Sequence, residues 1–219
     1  MPKRTTCLTS PPQSVCNFSS TSGRTMENLV FSYTPTACDT SSSGTVLPRP
    51  LGEENVWQLC NTVKSRFSDE LCRCYCVFIS NKEKQIPLWL QKAGKNEEGL
   101  VVWDYHVILL HKMASGSFVY DLDSRLSFPV RFEEYAFRTI HPRFRVVAAS
   151  TFLATFASDR SHMLDDEGRY LKPPPDYPPI RTEASENNIQ EFISMDPAVG
   201  VGNVMDFEHF YQLFTENNT

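Results

Sequence analysis

Hydrophobic and polar positions divide the chain into a featureless head and a patterned body. From Met1 to about Pro50, Ser, Thr and Pro dominate, and neither a period of two nor one of 3.6 is sustained. Such a stretch buries too little apolar surface to offset its ordering entropy, so residues 1–51 are expected to be a disordered tail and 52–219 the folded domain. At the start of that domain, Val56, Cys60, Val63 and Phe67 recur every three or four positions, with Trp57 and Leu59 widening the stripe, and predict a helix over Glu53–Phe67. Glu53 and Glu54 fall in its first turn, where the helix dipole favours negative charge.

The pattern then changes to strands. CRCYCVFIS, ending at Ser80, is β-branched and aromatic, and a polar turn over Asn81–Gln85 leads to a second strand over Ile86–Gln91. Beyond a charged loop, Leu100–His111 reads as one long strand and Ser117–Asp123 as another, joined by a turn over Lys112–Gly116. A short helix is expected at Phe132–Phe137, a break at His141–Pro142, a strand at Phe144–Ser150, a helical turn at Phe152–Phe156, and a last helix at Phe207–Phe214. Pro173–Pro175 with Pro178 and Pro179 require an extended connection. Strands joined by tight turns pair antiparallel, and with helices flanking them the expected class is α+β.

Composition narrows the function classes. A net charge of -5 argues against a phosphate-neutralising surface, so no nucleic acid is expected, and no apolar run approaches the length of a membrane span. Seven cysteines, an odd number without framework spacing, favour a reducing compartment. Cys72, Cys74 and Cys76 alternate, but their spacing is not that of zinc ligands; no metal and no cofactor are expected.

The chemistry-bearing candidates lie on the two central strands. If the turn closes His111 against Gly116, antiparallel register sets His106 opposite Asp121, with Cβ atoms about 4.5–5.5 Å apart. The aspartate would then fix the imidazole tautomer and leave the other nitrogen as a base. The bland alternative is a core histidine with a local partner, and spacing alone favours it. A useful pair needs a nucleophile.

Eight segments, GEENVWQLC, CYCVFISN, VVWDYHVILLH, FVYDLD, HPRFRVV, FASDRSHM, PPPDYP and FISMDPAVG, together resemble the protein N-terminal glutamine amidohydrolase family over about residues 52–214. The resemblance implies a papain-like α+β core in which an antiparallel sheet is flanked by helices. It also implies a Cys-His-Asp hydrolase that converts N-terminal glutamine of proteins to glutamate with release of ammonia. His106 falls on the histidine of WDYHV and Asp121 on the first aspartate of YDLD. The expected cysteine falls at position 52, where this chain has Gly52. The alternative is therefore an inactive form that at most binds N-terminal glutamine; a substituted first exon or an erroneous gene model would also produce so abrupt a departure. Asp159, Arg160 and His162 are candidates for shaping a polar substrate pocket, with a surface loop network as the favoured alternative, and Asp104 is a candidate for the α-ammonium with a structural role as an equal alternative. Cys60, two turns along the helix, is not expected to replace the missing thiol. The family also implies a place in the N-degron (arginylation) route in cytosol and nucleus, proteins with N-terminal Gln as partners, and a monomer.

Overall fold

The computed structural model describes residues 52–136, 143–171 and 173–216. The expected tail and the break at His141–Pro142 lie outside these residues. The fold is α+β, as the pattern of elements implies. Six strands form one antiparallel sheet in the order β6-β5-β4-β1-β7-β8, with β1 Cys74–Ser80, β4 His106–Met113, β5 Gly116–Tyr120, β6 Val130–Arg131, β7 Arg143–Ala148 and β8 Asn203–Met205. Strands β2 (Ile86–Leu88) and β3 (Val101–Trp103) make a separate two-stranded ribbon.

Both sheet faces are covered, and the period of two assigns each residue its side. Cys74, Cys76 and Phe78 of β1 and Val107 and Leu109 of β4 point to one core. Helix α1 (Gly52–Arg66) enters it with Val56, Leu59, Cys60 and Val63, α3 (Ala149–Thr155) with Phe152, and α4 (Ile189–Ile193) with Phe192. Val77, Ile79, Ile108 and Leu110 face the other core, closed by Phe132 of α2 (Phe132–Ala136) and by Phe210 and Phe214 of α5 (Phe207–Thr215). Each fully buried aromatic ring contributes on the order of 1.5–3 kcal/mol.

Two expectations about the central strands are corrected. Leu100–His111 is not one strand: it bends at Asp104–Tyr105, and β3 and β4 belong to different sheets. Ser80 Oγ donates to the Asp104 carbonyl at 3.1 Å, taking a backbone group that a continuous ladder would use, while Tyr105 turns into the core. The register also differs. Met113, not His111, faces Gly116, so the turn is the two residues Ala114 and Ser115, and every pairing is displaced by two. Gly116 has φ +122, a conformation glycine adopts without strain, and this allows the tighter turn. The helix over Glu53–Phe67 appears at Gly52–Arg66, whereas α4 and β8 carry too short a pattern to be anticipated.

Candidate active site

A small cleft opens where α1 begins and β4 begins, lined by Gly52, Glu53, Trp103, Tyr105, His106, Val107 and Asp123. His106 is the first residue of β4, and Asp121 follows the last residue of β5. Their side chains meet, with Nε2 3.0 Å from Oδ2, and both are buried. The N–H lies off the line to the oxygen, so the contact is an ion pair more than an aligned hydrogen bond. A displacement of two residues keeps each side chain on its own face and makes the pair diagonal neighbours, which is why it survives the corrected register.

Asp121 is held from three sides. Tyr135 of α2 donates its hydroxyl to Oδ2 at 2.8 Å, and the Asp123 backbone N–H donates to Oδ1 at 2.9 Å. Burial would raise the Asp121 carboxyl, but the His106 charge and these bonds hold it below its ordinary value. Burial would likewise lower His106, and the carboxylates of Asp121 and Asp123 lift it above the ordinary value. Trp103 stacks on the imidazole, with ring centroids 5.6 Å apart, and its indole N–H donates to the buried Gln91 at 3.2 Å. With Nε2 committed to the aspartate, Nδ1 is the nitrogen left for a reacting group.

These shifts predict a pH-dependent stability. His106, raised in the folded state, contributes fully below its ordinary 6.5 and loses that contribution as pH rises through its folded value. Asp121, lowered, contributes fully above its ordinary 3.8 and loses it as pH falls through its folded value. The difference in urea midpoint between this chain and Asp121→Asn should therefore be largest between those two values and shrink on the alkaline side. A difference that stays flat from about pH 5 to 9 would contradict the pairing.

Gly52 is the first residue of α1, and a Cβ placed on it meets nothing within 4 Å among the described residues. The two glutamates that follow lie in the first turn, where the dipole favours them, and are fully buried anchors. Glu54 receives Arg160 in a fork, from Nε at 3.0 and 3.2 Å and from Nη2 at 2.8 Å. Glu53 accepts the Tyr105 hydroxyl at 3.1 Å and faces His162 Nε2 at 3.3 Å. Thus Arg160 and His162 fix the helix start from behind, outside the cleft lining. Asp159 accepts bonds from the Ser161 N–H and the Asn187 amide on a surface loop and does not line the cleft. Asp104 sits in the bend between β3 and β4, also outside the lining.

Cys60 and Cys76 are buried, with thiols pushed well up by burial, and Cys74 is pushed up to about 12 for the same first reason. Cys72 is exposed, and none of the four lines the cleft. Asp123, Trp103 and Tyr135 were not singled out from sequence. Asp123 carried a usable signal, since an aspartate two residues before it can accept its backbone N–H. Tyr135, on another element, carried none. His106, Asp121 and Asp123 bring their ligand-type atoms within 4.8 Å of one another. One imidazole against two carboxylates is equally what proton transfer requires.

A buried histidine beside a carboxylate, opening on a cleft at a helix N-terminus, is an arrangement suited to acid–base chemistry. A family model described as N-terminal glutamine amidase matches residues 50–214. Curated proteins named protein N-terminal glutamine amidohydrolase match from Bos taurus and from Homo sapiens, each 48% identical over 177 residues. The alignments cover 76% of this chain with 85% of the cattle protein and 86% of the human one. The protein of that name from Drosophila melanogaster is 42% identical over 173 residues, 74% of this chain and 84% of its own. The chain belongs to the protein N-terminal glutamine amidohydrolase family. Position 52 lies inside the matched segment, two residues from its start.

Proposed function

We propose that this cleft is the site at which the side-chain amide of an N-terminal glutamine is hydrolysed, with His106 as acid and base and Asp121 as its orienting group. The observation that carries the reading is the buried contact of 3.0 Å between His106 and Asp121 beside the first residue of α1. The family's chemistry calls for a thiolate at position 52. Its sulfur attacks the amide carbon, imidazolium protonates the departing ammonia, and a water activated by His106 then cleaves the glutamyl thioester to give glutamate and free thiol. Backbone N–H groups at the head of α1 are suited to the oxyanion. The core is read as papain-like, and the substrates as proteins entering the arginylation branch of the N-degron route in cytosol and nucleus, with the protein acting as a monomer.

One observation favours a second reading for the chain as it stands. Gly52 supplies no attacking atom, and none of the four described thiols lines the cleft, so the chain would recognise N-terminal glutamine without turning it over. Ammonia release from a glutamine-initiated peptide by Gly52→Cys, abolished by adding His106→Ala, tests the first reading. Inactivity of Gly52→Cys, with no peptide binding by the unmodified chain, would sink both.

A further inference from the structure

We propose that Asp123 receives the α-ammonium group of the substrate and thereby confines the site to glutamine at a chain terminus. This rests on the reading above. An amidase that acts on terminal and not internal glutamine must detect a cation only four bonds, roughly 5 Å, from the amide carbon. The receptor therefore has to stand in the same cleft as the acid–base pair. Of the carboxylates around it, Asp121 is committed to His106, Tyr135 and a backbone N–H. Glu53 also lines the cleft, but it is fully buried and both its oxygens have partners, Oε2 accepting the Tyr105 hydroxyl and Oε1 facing His162. Asp123 lines the cleft, is only partly buried, and among the described residues no side chain donates a hydrogen bond to it. One of its oxygens lies within 4.8 Å of both a His106 ring nitrogen and an Asp121 oxygen, a separation that a bound glutamine spans.

The electrostatics agree with this placement. Burial, and the charges of Asp121 and Glu53, hold the Asp123 carboxyl above its ordinary value, with His106 and Lys92 offsetting only part. A substrate ammonium in contact would supply the missing counter-charge. The assignment also replaces Asp104, which the sequence offered for this role but which lies outside the cleft lining.

Asp123 supports Asp121 through its backbone N–H, so Asp123→Asn leaves that bond in place. The test compares a glutamine-initiated peptide with its des-amino analogue, which keeps the amide and lacks the α-amine. Calorimetry on the full unmodified chain should show tight binding of the first and weak binding of the second. Asp123→Asn should weaken the first on the order of 30- to 100-fold, leave the second unchanged, and so erase the preference. In the Gly52→Cys background the same change should fall mainly on KM, while Asp123→Glu, which keeps the charge, retains most of the preference. An undiminished preference in Asp123→Asn, or equal weakening of both peptides, overturns the assignment even if Gly52→Cys releases ammonia. Failure of Gly52→Cys to turn over and of the unmodified chain to bind either peptide would instead overturn the site reading, and this inference with it.

Discussion

Gly52→Cys should convert a chain that releases no ammonia from a glutamine-initiated peptide into one that does. The substitution adds a side chain where a Cβ meets nothing within 4 Å among the described residues, so stability should change by no more than about 0.5 kcal/mol. A thiol there would sit at the first residue of a 15-residue helix and share the cleft with His106, two features that lower a thiol pKa and yield the reactive thiolate. Gly52→Ser offers a check on geometry: it adds an oxygen at the same place but a far weaker nucleophile, and should stay near zero. Adding His106→Ala to Gly52→Cys should reduce turnover on the order of 10²- to 10⁴-fold, because both proton transfers are lost. Release of ammonia by the unmodified chain would place the nucleophile elsewhere.

Arg160→Met should cost about 3–5 kcal/mol, the largest loss of stability expected from a single change near the site. The fork from Arg160 is the charge partner of Glu54, and both side chains are almost wholly buried, at 3% and 0% exposure. Methionine matches much of the arginine stem but leaves an uncompensated carboxylate in the interior. The guanidinium also donates to the Tyr177 carbonyl at 3.0 Å and lies 4.9 Å from the Tyr177 ring, so the same change frees the proline-rich segment from the helix start. Pairing Arg160→Met with Glu54→Leu should recover a large part of the loss, since a buried pair replaced by apolar groups leaves no unpaired charge. Urea denaturation of the three variants measures this. A cost below about 1 kcal/mol for Arg160→Met alone would show that Glu54 finds another partner or water.

How far the site was legible depends on the range of the interactions involved. The stripe Val56, Cys60, Val63 is local periodicity, and it located α1 to within a residue at each end. Alternation placed Ile108 and Leu110 on one face of β4, where both enter the same core. The His106–Asp121 pairing was reached through a register that proved wrong by two residues, and an odd displacement would have sent the two side chains to opposite faces. The contacts of Glu53, Glu54, Arg160 and His162 were not legible because they join α1 to a loop more than 100 positions away. No spacing rule reaches that far.

By itself, then, the sequence determined the elements whose signal is periodic, the α+β class, the pair of candidate acid–base residues and, through its motifs, the family. It also determined that position 52 is glycine, a fact no fold can alter. Only the tertiary structure decided which polar groups face the cleft and which brace it. That choice depends on where burial leaves a charge without a partner. Arg160 neutralises Glu54 in the interior, whereas Asp123 is left at the cleft with no side-chain donor among the described residues.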